Sequence, residues 1–350
     1  WVATMTYSGC RAMLPLLLAA TLSVGCGRSM SSSGAAGSSV PARAENAFDG
    51  EYPIEAIATT GMVADIVRVV GGTHVAVTQL LGAGVDPHLY KATRDDVRTI
   101  MSGDIVFYSG LMLEGKMSDT LIKVARNKPV IAVTERIPES SLLEPADLAG
   151  HYDPHVWMDV SAWAECVDAV AKSLSDYDPE HGGDYAANAS AYRNQLRGLH
   201  EYGLKSIASV PEGSRILVTS HDAFNYFGRA YGLDVQGVQG LSTESEAGLQ
   251  RINELVDLLV EKRVPAVFVE SSVPRKNIDA LVEGARAKGH ALSVGGELFS
   301  DAMGTEGTYE GTYIGMLDHN ITLVARSLGG DAPARGMNGK LGGEPGKAHQ

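Results

Sequence analysis

Short apolar runs alternate along the chain with longer stretches whose apolar residues recur at helical spacing, and the alternation forms two blocks on either side of one long helical segment. In the first block, strands are predicted over residues 54–58, 75–80, 105–108 and 130–133. Helices are predicted over 62–70, closed by Gly71 and Gly72, and over 93–101, where Thr93 and Asp96 form a capping-box start. The second block repeats the scheme, with strands at 216–219, 235–238, 266–270 and 291–294. Its helices fall at 246–262, with Leu249, Ile252, Val256 and Leu259 on one face, and at 275–288, between Pro274 and Gly289. Short apolar strands alternating with amphipathic helices predict an α/β protein whose sheets are parallel and covered on both faces.

Between the blocks, residues 184–209 contain no proline, and Tyr185, Tyr192, Leu196, Leu199 and Leu204 supply an apolar stripe. A helix of that length extends about 40 Å, enough to run along both blocks. Pro211 and Gly213 end it. The expected organisation is a first α/β lobe over 51–183, a linking helix over 184–210 and a second lobe over 211–329, each lobe built on a mainly four-stranded parallel sheet. The glycine-rich stretch 330–350 is expected to be a disordered tail.

The N-terminus carries a different pattern. Arg11 precedes an apolar run from Met13 to Val24, followed by Gly25 and Cys26. The run is too short to span a bilayer but suits a secretory signal. Residues 1–26 are therefore read as a signal peptide with a lipobox, with Cys26 the lipidated residue, although Ser23 stands where such signals usually carry Leu. Residues 27–50, rich in Ser, Gly and Ala, read as a flexible tether to the membrane surface. Past the signal only Cys166 remains, so the folded part forms no internal disulfide. With 350 residues, 44% hydrophobic and 20% charged, the chain is long enough for two globular lobes. Its net charge of −13 leaves no basic face for nucleic acid, which is excluded as a partner.

Candidate chemistry lies in four loops. His88 sits in Asp86-Pro87-His88 and His155 in Asp153-Pro154-His155, two copies of one turn. In such a turn Asp can bond the backbone two residues on, Pro fixes the bend, and the imidazole is presented from a rigid loop. His221 directly follows the strand at 216–219, and Asp301 follows the strand at 291–294 after a Gly295-Gly296 turn. Ligands in parallel sheets bind beyond the carboxyl ends of the strands, where such loops converge. Three imidazoles and a carboxylate suit zinc, manganese or iron as divalent ions.

Six segments carry a wider resemblance: Asp86 to Tyr90, Tyr152 to Asp159, Thr219 to Phe227, Gly240 to Ala247, Phe268 to Ser272, and Gly296 to Gly304 continuing into Glu310 to Ile314. Together, across roughly residues 52–329, they resemble the TroA-like family, the zinc and manganese solute-binding proteins of ABC transporters. The resemblance implies two α/β lobes joined by a rigid backbone helix with the metal in the cleft between them. It implies metal ligation by His88, His155, His221 and Asp301, an ABC permease as partner, an extracytoplasmic location and a membrane anchor at the N-terminal lipid. The chain is expected to act as a monomer and not as an enzyme. Tyr90, Trp157 and Phe224 are expected to pack beside the site and limit water access. Some manganese-preferring members carry Glu where this chain has His221, and some zinc-specific members carry a His-rich loop that here is reduced to His151, so both metals stay open. The competing reading is a zinc-dependent hydrolase with a three-His site, using Asp222 or Glu270 as base. It lacks any His-Glu-x-x-His motif.

Overall fold

The computed structural model describes residues 47–145 and 150–342. The expected signal peptide with Cys26, most of the tether, and the last eight residues of the tail lie outside the described residues. The first lobe contains strand β1 (Ile54–Ala58), helix α1 (Gly61–Gly71), β2 (Val75–Gln79), α2 (Arg94–Ser102), β3 (Ile105–Tyr108), α3 (Ser118–Val124), β4 (Val130–Ala132) and α4 (Val160–Tyr177). The long helix α5 (Gly182–Ala208) follows. The second lobe contains β5 (Ile216–Thr219), α6 (Asn225–Tyr231), β6 (Asp234–Gly237), α7 (Leu249–Glu261), β7 (Ala266–Glu270), α8 (Lys276–Ala287), β8 (Ser293–Leu298) and α9 (Tyr313–Ser327).

The first lobe's sheet is wholly parallel, in the order β2-β1-β3-β4. Its inner strands β1 and β3 are largely buried on both faces, while the edge strands β2 and β4 are only partly covered. Ile54, Ala56 and Ala58 face a core built with α1 and α4, while Ile57 and Val106 face a smaller cluster with Ile100, Leu121 and Val124. The helix α2 starts as its sequence predicts: the Thr93 hydroxyl accepts the Asp96 N–H at 3.2 Å and the Asp96 carboxylate accepts the Thr93 N–H at 2.7 Å.

In the second lobe the expected four-stranded sheet is divided. The pairs β5-β6 and β7-β8 are each parallel, and β5 lies beside β7 without a hydrogen-bonded ladder. The two inner strands are instead joined through side chains, Leu217, Ala266 and Phe268 on one face and Val218, Val267 and Val269 on the other. The strand β8 also starts later and runs further than the sequence predicts. Gly295 and Gly296 do not turn the chain but continue the strand through a register shift opposite Val267 and Phe268. Gly296 there has φ +144°, a conformation that side chains rarely adopt, so glycine is what keeps the irregular strand continuous.

The helix α5 joins the lobes through a single core. Tyr185, Tyr192, Leu196, Leu199 and Ile207 of α5 share one hydrophobic cluster with α1 and α4 on one side and α9 on the other. Leu204 departs from the expected stripe and is 43% exposed. The buried position is its neighbour Gly203, where a Cβ would stand 2.5 Å from the Tyr231 ring of α6. The missing side chain lets helix and ring approach closely, a contact that periodicity of large apolar residues cannot reveal.

Two boundaries are corrected. Phe48, assigned to the tether, is buried and its N–H donates to the Tyr177 carbonyl. Residues 331–342, assigned to a disordered tail, are held against α9 by Asp318, whose buried carboxylate accepts the Met337 N–H at 2.7 Å, and Leu341 is buried. Glycine-rich composition conceals this because the fastenings are mostly backbone groups met by side chains distant in sequence: Ser209 exchanges hydrogen bonds with the Asp331 backbone, and Arg326 donates to the Ala332 carbonyl at 3.0 Å.

Candidate metal centre

His88, His155, His221 and Asp301 converge, three of them, His88, His221 and Asp301, from loops that follow strand ends. One donor atom from each lies within 4.8 Å of all the others, and all four residues are buried. The Nε2 atoms of His88 and His155 are 3.2 Å apart. Asp301 Oδ2 lies 3.2 Å from His221 Nε2 and 3.8 Å from His88 Nε2, and its Oδ1 lies 3.5 Å from His155 Nε2. A tetrahedral ion with bonds of about 2.0–2.1 Å needs donor separations of about 3.3–3.4 Å. The observed spacings straddle that value. Among the described residues, His221 Nε2 and both Asp301 oxygens make no aligned hydrogen bond although all are buried. Buried polar atoms are normally satisfied, so orphans pointing at one another mark a place for a cation.

Each donor is aimed by its own local chemistry. In the first Asp-Pro-His turn, Asp86 Oδ1 accepts the His88 N–H at 2.8 Å. In the second, Asp153 Oδ1 accepts the His155 N–H at 2.9 Å and also stands 2.8 Å from the ring Nδ1. Glu270, at the end of β7, treats His221 in the same manner: Oε1 accepts the backbone N–H at 2.8 Å and Oε2 lies 2.5 Å from Nδ1. A carboxylate on Nδ1 keeps the proton there and leaves the Nε2 lone pair directed at the centre. Asp153 and Glu270 are thus site residues that sequence reasoning did not single out for this task. For Asp153 the signal was present in the motif itself, whereas Glu270 is 49 residues from His221 and only the β5–β7 adjacency brings them together.

Electrostatics divide the histidines. Burial pulls the His88 imidazolium down to about 4, so this ring is neutral and ready to coordinate. Burial also opposes charge on His221, but the Asp301 and Glu270 carboxylates outweigh it and hold the ring's affinity for a proton well above its ordinary value. Burial would raise Asp301, yet the surrounding imidazoles, His221 first, keep its carboxyl far below the usual carboxylate range. Without an ion, the Asp301 and Glu270 carboxylates therefore favour the protonated form of His221.

The three aromatic residues fare differently. Trp157 is buried beside the centre, its ring 5.3 Å from that of His155 and its indole N–H donating to the Ser300 carbonyl at 2.9 Å, one residue before Asp301. Phe224 is buried in the core under α6, edge-on to Phe227. Tyr90 is assigned elsewhere: half-buried, it gives its hydroxyl to Asp96 at 2.6 Å and braces the start of α2. Four other histidines make contacts away from the centre; His74 and His181 stack at 3.8 Å with Asp184 and Asp178 as partners, while His290 and His319 bond backbone carbonyls.

Known proteins similar to this chain are metal-binding proteins. The family model described as the periplasmic component A of zinc-uptake complexes, ZnuA, matches residues 57–327. The chain is 50% identical over 278 residues to the manganese-binding lipoprotein MntA of Bacillus subtilis, covering 79% of this chain and 90% of that one. It is 44% identical over 272 residues to the zinc-binding protein TroA of Treponema pallidum, covering 78% and 88%. The solved structure of that periplasmic zinc-binding protein superposes with a TM-score of 0.76 over 78% of this chain and 98% of the other. A metal ABC transporter substrate-binding lipoprotein of Streptococcus mutans, SloC, is 30% identical over 278 residues, covering 78% and 89%. With a family match across both lobes and half of all aligned residues shared with a relative, this chain belongs to the ZnuA family of periplasmic metal-uptake components.

Proposed function

We propose that this protein captures one divalent transition metal, zinc or manganese, outside the cytoplasm with His88, His155, His221 and Asp301, and delivers it to the permease of an ABC importer. The observation that carries the reading is the convergence of three buried imidazole nitrogens and an orphaned carboxylate on one point. The donor set suits both metals, and nitrogen-rich sites bind zinc more tightly than manganese. The metal is read as cargo held between the lobes. Of the two acids that a hydrolase could use as base, Asp222 and Glu270, the second has both oxygens committed to His221. The names of the relatives support the remaining features. A lipid anchor at Cys26 would tether a monomeric receptor to the membrane surface, and among the described residues no helix is long and apolar enough to cross a bilayer itself.

Calorimetry on metal-stripped protein tests the reading. One equivalent of zinc is expected to bind the wild type, and His221→Ala is expected to weaken binding by more than about 100-fold. Undiminished affinity in that variant would remove His221 from the ligand set.

A further inference from the structure

The two Asp-Pro-His turns share a second property that their sequence does not contain. In each, one carboxylate oxygen pins the histidine's own backbone N–H, and the other is held by a polar side chain from beyond α5. Asp86 Oδ2 accepts the Thr243 hydroxyl at 2.5 Å, and Asp153 Oδ2 accepts the Asn225 amide at 3.1 Å. Each first-lobe imidazole is therefore positioned by an acid that the second lobe also holds.

The two braces are not equally reinforced. The segment bearing His155 is tied to the second lobe several times over. The Tyr226 hydroxyl donates to the Asp153 carbonyl at 2.9 Å and accepts the Leu143 N–H at 3.0 Å, the Trp157 indole reaches Ser300, and the Tyr313 hydroxyl reaches the Trp157 carbonyl at 2.7 Å. The turn bearing His88 has less. Beside Thr243, the neighbouring Glu244 pairs with Lys116 of the first lobe at 2.9 Å, and both of those side chains are substantially solvent-exposed. An exposed pair of that kind adds little holding energy.

The geometry points to Thr243 as a positioning residue: its hydroxyl, acting through Asp86, holds His88 in the metal centre, so that the loop at 240–248 governs how fast the cargo leaves. This rests on the proposed ligand set. When the loop withdraws, Asp86 loses its partner across the cleft and the His88 turn is free to swing, while His155 and His221 keep their braces, Asp153 and Glu270. Release then begins at His88.

The test uses zinc-loaded full-length protein mixed with excess chelator, following zinc loss by stopped flow. Thr243→Val, which keeps the side chain's shape and removes the hydroxyl, is expected to speed zinc loss by about 10–100-fold, the scale seen when a group that orients a ligand is removed. Thr243→Ser is expected to restore the wild-type rate. Asn225→Ala is expected to change it less, because other bonds hold the His155 segment. The melting temperature of metal-free Thr243→Val should match that of the wild type, which separates positioning from a general loss of structure. Zinc loss from Thr243→Val at the wild-type rate, or failure of Thr243→Ser to restore it, would overturn the assignment. A wild type that holds no zinc would instead defeat the metal-capture reading itself.

Discussion

Glu270 holds His221 at two points, its Oε1 accepting the backbone N–H at 2.8 Å while its Oε2 stands 2.5 Å from the ring Nδ1. Both side chains are fully buried. Replacing the acid by alanine would leave an imidazole N–H without a partner in a site closed to water, and the ring would lose the contact that fixes its tautomer. Glu270→Ala is expected to lower zinc affinity about 10–100-fold in chelator competition, and Glu270→Gln to lower it less, since the amide oxygen can still accept the ring proton.

The proton held on His221 predicts how binding responds to pH. Its affinity is raised by Asp301 and Glu270, so an arriving metal must displace it. Calorimetric titrations in two buffers of different ionisation enthalpy should show release of about one proton per zinc at neutral pH. Acidification should begin to weaken binding above the ordinary histidine value of about 6.5, because the controlling ring is the one whose affinity for protons is raised. Binding accompanied by no proton release would contradict the charge arrangement.

His88 sets a different pH dependence, for the metal-free fold. Its native value of about 4 lies below the unfolded value of about 6.5, so the unfolded chain binds the proton first as pH falls. Stability is then lost progressively between those two values, with an upper bound of about 3 kcal/mol. His221 does not oppose this. Its raised value contributes stability that is already fully present below about 6.5 and is lost only as pH rises through its folded value. Denaturation of metal-free wild type and His88→Gln across pH 7 to 4 should show a steeper loss in the wild type; equal slopes would refute the role given to burial.

Much of this was legible in the chain. The strands at 54–58, 105–108, 216–219 and 266–270 lie where apolar runs place them, and the Thr93 capping box forms as written. The two Asp-Pro-His turns disclosed their histidines because all the necessary chemistry is local. What the sequence concealed depends on distance or on missing atoms. Glu270 and Thr243 act on residues 49 and 157 positions away, and Gly203 contributes by having no side chain for Tyr231 to avoid. Tyr90 lies two residues from His88, yet it is committed to Asp96. Proximity in sequence is a poor guide where a turn reverses direction.

The segment beyond α9 supplies a further test. Asp318 is wholly buried and accepts the Met337 N–H, the Tyr309 hydroxyl at 2.8 Å and the Thr322 hydroxyl at 3.2 Å. Truncation after Gly330 would remove one of these donors and uncover the surface that Leu341 and Ala332 protect. A loss of about 1–3 kcal/mol in denaturant unfolding is expected, the scale of an unsatisfied buried acceptor. Unchanged stability would show the segment to be loosely attached.

The four donors are separated by 67, 66 and 80 residues. An ion seated among them would act as a clasp on the whole chain, fastening segments that no disulfide joins. At a metal concentration 1,000 times the dissociation constant, mass action would add about 4 kcal/mol against unfolding. The loaded receptor would then resist proteases that can attack the empty one, so a cell envelope starved of metal would also clear its idle receptors faster.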